Sequence, residues 1–204
     1  MIQSEIDRKS WLASKVAGAF SFEEYLDDID RQVREGRSSG ANPSPDYAEY
    51  TKLNAQRMKR WLKILNPEHF KFDFELQFPI IFLTLTESWC GDAAHITPVL
   101  YAIALQNGFT LKFLYRDEHP DLMDQYLTNG GRSIPKVVIT DVHFNELASW
   151  GPRPIQAQKL YNALKSKGNI HEIIMGLQRW YNRDKGMSTR KEIEALVKSL
   201  GQRG

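Results

Sequence analysis

The chain has 204 residues, 42% hydrophobic and 25% charged, the ordinary balance of a globular protein able to bury a sizeable core. A net charge of +2 is too small to recruit nucleic acid or an anionic membrane surface, so neither is expected as a partner. One cysteine excludes an internal disulfide framework and most cysteine-rich metal sites, and it suits a reducing compartment.

The opening MIQSEIDRKSWLASK mixes acids and bases and lacks the apolar run of a signal peptide. The longest strongly apolar run, IIFL, is far short of a membrane span, so a cytoplasmic location is the expectation. Phe20 to Val33 has the pattern of an amphipathic helix, and the Gly-, Ser- and Pro-rich stretch 34–46 reads as a linker. Ser44 then serves as an N-cap with Pro45 at the first helical position. Tyr47, Leu53, Met58, Trp61 and Leu65 recur at roughly helical spacing until Asn66-Pro67 stops them.

The periodicity changes at FPIIFLTLT (78–86), a short β-rich run of the kind buried on both faces of a sheet. A helix is predicted from Gly91 to Gln106 and a second buried strand over 110–115. Pro120 opens a helix that carries Tyr126 and Leu127 and ends at NGG. Residues 134–140 and 144–150 form a strand hairpin, and Pro154 starts another helix. Two amphipathic helices complete the tail, the second capped by Thr189 and Glu192 and followed by Gly201. The predicted order β-α-β-α-β-β-α describes an α/β fold, a mixed sheet flanked by helices. Helical N- and C-terminal extensions occupy 1–75 and 166–204, with the sheet domain at 76–165. The extensions either cover part of this fold or form a homodimer surface, and their apolar stripes fit both.

The first strand leads into Ser-Trp-Cys-Gly-Asp-Ala (88–93), which delivers Cys90 to a helix N-terminus at the carboxyl end of the sheet. Sulfur reacts as thiolate, and the unpaired N–H groups of a helix start lower a thiol pKa, so Cys90 is expected to be a nucleophile. The adjacent Asp92 opposes that by like charge, while also suiting the positive end of the helix. His69, His95, His119, His143 and His171 are scattered without metal-ligand spacing, so no metal or cofactor is expected. His95 is expected to be partly exposed and off the sulfur's side of its helix. No phosphate-binding loop or dinucleotide fingerprint occurs.

From about Leu76 to Lys165 the sequence resembles the thioredoxin family. Trp89-Cys90-Gly91-Asp92-Ala93 is similar to Trp-Cys-Gly-Pro-Cys, Pro98 follows the cysteine by eight residues, Ile134-Pro135 opens a strand, and Gly151 follows the last one. The string TESWCGDA looks like a bacterial subgroup that keeps a single cysteine. The resemblance implies a catalytic Cys90 framed by Trp89, Gly91 and Asp92, and a cis Pro135 that, with Ile134, shapes a substrate groove. Arg132 of the same loop would hold a substrate carboxylate or favour the thiolate, or simply lie in solvent. Three departures matter. The resolving cysteine is Ala93, the proline between the cysteines is Asp92, and the family's buried acid falls by spacing on Thr84. Asp92 and Ala93 also replace the last two residues of the Cys-Gly-Phe-Ser motif with which monothiol glutaredoxins hold an iron–sulfur cluster. The implied activity is monothiol thiol–disulfide exchange with a disulfide- or thiol-bearing protein or a low-molecular-weight thiol. A non-catalytic thioredoxin-fold interaction module is the alternative.

Overall fold

The computed structural model describes residues 5–40, 44–166 and 168–202. Residues 41–43 of the expected linker lie outside the described residues. Three helices precede the sheet: α1 (Glu5–Ala17), α2 (Phe22–Arg34) and α3 (Pro45–Ile64). Ser21 and Glu24 cap α2 reciprocally, and Ser44 with Pro45 starts α3 as its sequence dictates. The helix α1 carries no strong sequence signal. It holds because Leu12 and Val16 pack on the sheet.

The apolar run after α3 becomes β1 (Ile80–Thr86), every residue of which is buried. Such a strand needs neighbours on both edges, and β1 is central in the order β2-β1-β3-β4. Its connection to the parallel β2 (Thr110–Tyr115) runs through α4 (Gly91–Asn107), the long crossover that parallel pairing requires. β3 (Lys136–Asp141) pairs antiparallel with β1, and β4 (Glu146–Trp150) antiparallel with β3. This is the mixed sheet expected from the sequence.

Alternation along β1 sends Ile81, Leu83 and Leu85 to one core with α1, and Ile80 and Phe82 to the other with α2, α3 and α4. The second core also takes in the tail helices α7 (Ile170–Asp184) and α8 (Met187–Gly201), through Leu177, Ile193 and Val197. The extensions and the sheet therefore share hydrophobic packing. Trp61 of α3 is 1% exposed, and truncating it to alanine should cost about 3–5 kcal/mol.

Two local expectations need correction. The helix from Pro120, α5 (Pro120–Met123), stops early because Gln125 and Tyr126 tighten into i→i−3 turns on the carbonyls of Leu122 and Met123. The capping box at Thr189 does not form. Gly186, at φ +80°, starts α8 one turn earlier, and a Cβ there would lie 2.5 Å from Val99. Glu192 instead accepts from Trp150 Nε1 at 3.0 Å and from the N–H of Ile155 at 2.7 Å, tying β4 to α6 (Ile155–Lys165).

Candidate thiol site

The turn from β1 into α4 is fastened from three sides. The N–H of Ser39 donates to Ser88 Oγ at 2.9 Å, and Asn54 Nδ2 of α3 donates to the Ser88 carbonyl at 3.0 Å. Ser88 Oγ in turn donates to Gln32 Oε1 of α2 at 2.6 Å. Glu87 is fully buried, accepting from the Ser39 hydroxyl and, at 2.8 Å, from the N–H of Asp117. Thr84, where family spacing puts an acid, is buried with no hydrogen-bond partner for its hydroxyl. The buried carboxylate of this region is Glu87.

Cys90 is the N-cap of α4 and is 8% exposed. Its thiol donates to the carbonyl of Ile134 at 3.5 Å. The amides of Ala93 and Asp92 favour the thiolate, as expected of a helix start. Burial and then the Asp92 carboxylate outweigh them, and together they push the thiol up to about 12. The expected lowering is corrected: the helix dipole is present, but desolvation of the sulfur is the larger effect.

The facing peptide bond, Ile134–Pro135, is cis. Ser133 and Ile134 line the space in front of the sulfur, with Pro135 buried behind them. Gly151 seals this loop from below. At φ +112°, a Cβ there would come within 2.3 Å of the Pro135 carbonyl, so only glycine fits. Lys136 Nζ fixes the same junction, donating to Thr128 Oγ1 at 2.8 Å and to the Gly151 carbonyl at 3.1 Å.

The remaining residues singled out in the sequence divide. Trp89 stacks on Tyr47 with ring centroids 4.6 Å apart, and the Arg116 guanidinium lies 5.1 Å from its ring. Asp92 pairs with Arg153 at 2.6 Å and accepts from the Tyr181 hydroxyl at 2.8 Å, so it docks α7 against the thiol turn. Arg132 forms two bonds to Asp124, at 2.6 and 2.7 Å, and its side chain is half exposed. His95 is 5% exposed, not open to solvent as expected, because α3 and α7 cover it. It accepts from Trp61 Nε1 at 2.8 Å and stacks on Tyr181, and burial pushes its pKa down to about 3. It also lines the same cavity as Cys90, contrary to the helical-period expectation.

That cavity is a cleft of about 820 Å³ running past Cys90 between α3, the 128–134 loop and the α6–α7 pair. Tyr50, Leu177 and Ile173 give it an apolar wall. Arg57 reaches it from α3, donating to Asn54 Oδ1 at 2.9 Å and to Gln178 Oε1 at 2.6 Å. Sequence reasoning missed Arg57, Arg153, Tyr181 and Glu87, since each acquires its setting from a partner distant in the chain. Only the positions of Arg57 and Tyr181 on otherwise amphipathic helices hinted at them. Among the described residues, no three His, Cys, Asp or Glu side chains converge as metal ligands would, and no helix is long and apolar enough to cross a membrane.

Comparison with known proteins bears on the fold that carries this site. The chain is similar in structure to a protein of unknown function from Pseudomonas aeruginosa, with a TM-score of 0.54, 16% identity, and coverage of 92% of this chain and 96% of that one. It is also similar to an HIV epitope-scaffold, with a TM-score of 0.52, 17% identity, and coverage of 92% and 97%. At these identities the likeness shows a shared fold. No curated protein matches the sequence. A family profile described as Thioredoxin matches residues 40–165, which takes in α3, the whole sheet and α6. With more than half of its length matched around the Cys90 turn, the chain belongs to the thioredoxin family.

Proposed function

We propose that this protein performs monothiol thiol–disulfide exchange through Cys90, on a disulfide- or thiol-bearing partner seated in the cleft, in a reducing compartment such as the cytoplasm. The observation that carries this reading is that the lone sulfur lines an 820 Å³ cleft opposite the Ile134 carbonyl. In the reaction the Cys90 thiol gives its proton to solvent, and the thiolate attacks R–S–S–R′. The Cys90–S–S–R bond forms as the R–S–S–R′ bond breaks, and R′–S⁻ leaves and takes up a proton. A second thiol, R″–SH, restores Cys90 and departs as R–S–S–R″. It must come from outside the motif, because Ala93 occupies the resolving position.

A thiol at about 12 leaves only about one molecule in 100,000 as thiolate at pH 7, so the resting site is slow. The same burial supports a second reading, a thioredoxin-fold binding module in which Cys90 is structural. The two separate in one experiment, in which the protein is held with 2-hydroxyethyl disulfide between pH 7 and 9.5 and followed by intact mass. Exchange predicts one adduct, absent in Cys90→Ser, reversed by dithiothreitol and forming about tenfold faster per pH unit across the range. A chain that stays unlabelled at every pH would leave the binding module as the better reading.

A further inference from the structure

Resting on the exchange reading, we infer that the molecule seated at Cys90 carries a carboxylate or similar small anionic group, and that Arg57 receives it. Arg57, Arg116, Arg132, Arg153 and Lys165 line the cleft, against the single carboxylate of Asp92. Three of these cations already have a carboxylate partner: Arg116 pairs with Asp117, Arg132 with Asp124, and Arg153 with Asp92, although Arg153 Nε is buried without a hydrogen bond. Lys165 is exposed at the rim.

Arg57 differs from all of them. Among the described residues no carboxylate lies within ion-pair distance of it, and its Nη atoms donate only to the neutral amide oxygens of Asn54 and Gln178. Its Nε is buried with no hydrogen-bond partner. A partly buried guanidinium is ordinarily paired with an acid, because removing its charge from water is costly. Here α3 holds one against the thiol turn, with Nη1 3.7 Å from where a Gly91 Cβ would sit. A guanidinium offers a planar fork that matches a carboxylate with two parallel bonds. The wall of Tyr50, Ile173 and Leu177 receives the apolar part of the same molecule. The expected ligand is thus an amphipathic organic acid bearing sulfur, which Arg57 orients towards Cys90. Arg132, the arginine that the sequence nominated for this task, is committed to Asp124.

Two aromatic disulfides provide the test at pH 8: dianionic 5,5′-dithiobis(2-nitrobenzoate) and neutral 4,4′-dithiodipyridine. Arg57→Gln should slow the dianion by about tenfold or more and the neutral reagent by less than about twofold, since hydrogen bonds to charged groups are the strong ones. Arg57→Lys, which keeps the charge and much of the packing, should lose several-fold for the dianion alone. Arg60→Gln removes the same charge one turn along α3, from an exposed residue that bonds Asn182, and should leave both rates unchanged. Equal slowing of both reagents by Arg57→Gln, no slowing of either, or the same dianion loss in Arg60→Gln would overturn the inference. If neither reagent labels wild-type Cys90, the exchange reading fails by itself. Calorimetric titration with isophthalate then decides the anion site: binding that Arg57→Gln abolishes upholds it, and no binding to the wild type overturns it.

Discussion

Replacing Glu87 with Gln should change how this protein's stability depends on pH, by an amount its surroundings set. Glu87 is fully buried between the Ser39 hydroxyl and the N–H of Asp117, with the Asp117 carboxylate and the Arg116 guanidinium as its charged neighbours. Burial pushes its pKa up to about 7 from an ordinary 4.5, and Asp117 adds to the rise while Ser39 and the Asp117 amide oppose it. Between those two values the folded chain keeps a proton that the unfolded chain has released. The stabilisation is therefore complete below pH 4.5 and is lost as pH rises through about 7. A gap of about 2.5 pH units at about 1.36 kcal/mol each amounts to about 3 kcal/mol.

His95 masks this in the wild type. Its pKa is pushed down to about 3 by burial, so the unfolded chain gains a proton below about 6.5 that the folded imidazole refuses. Its contribution is lost as pH falls, opposite in sign to that of Glu87 over the shared window, and the wild-type curve alone is flattened. The difference between wild type and Glu87→Gln removes the common histidine. Gln keeps the shape and the neutral hydrogen-bonding state of the protonated acid. Urea unfolding from pH 4.5 to 8, followed by tryptophan fluorescence, should show the variant gaining about 3 kcal/mol on the wild type towards the alkaline end. Parallel curves would mean that Glu87 titrates as a solvated carboxylate, and the account of its burial would fail.

Asp92→Asn should speed iodoacetamide alkylation of Cys90 at pH 8 by about tenfold, because it removes the carboxylate that raises the thiol and frees Arg153 to act on the sulfur. An unchanged rate would show that desolvation alone sets the thiol. Gly151→Ala should cost about 3 kcal/mol or more, whereas Gly108→Ala, also at positive φ (+69°) but with nothing within 4 Å of the new Cβ, should cost about 1 kcal/mol, as read by urea denaturation. Equal losses would mean that the backbone angle, and not the approach to the Pro135 carbonyl, demands glycine at position 151.

The sheet was legible because its strands are short apolar runs separated by helical periodicity, and IIFLTLT in particular has no polar face to turn outward. The thiol turn was legible for the same reason: an apolar strand ending in Ser-Trp-Cys-Gly must hand its cysteine to the next helix. What the turn does to the sulfur was not. The helix dipole is local and favours the thiolate, but the burial that reverses it comes from residues remote in the chain, in the cluster that joins Cys90 to Leu12, Ile134 and Val138. Glu87 in TES reads as a solvated turn residue, since its partner Ser39 lies 48 residues earlier. Arg57 reads as a surface position of an amphipathic helix, and Gln178, 121 residues away, is the remote partner that sets it in the cleft. Thr189 and Glu192 make a capping signature that fails because Glu192 has better donors in Trp150 and Ile155.

These remote contacts also bear on why a lone sulfur is kept neutral. The helices outside the sheet do two things at once. Tyr47 and Arg57 of α3 and Tyr181 of α7 build the walls of the cleft, and Tyr181 also holds the Asp92 carboxylate that raises the Cys90 thiol. Oxidation of a cysteine proceeds through its thiolate, and a sulfenic acid with no neighbouring thiol cannot close to a disulfide. On the exchange reading, a site with Ala93 in the resolving position gains from staying protonated until a disulfide is already held in line. Slow reaction at rest then follows from the burial of the sulfur, and selectivity from the cleft in front of it. Opening the walls should therefore lower the discrimination of Cys90 between anionic and neutral disulfides, read as the ratio of its rates with the two aromatic reagents.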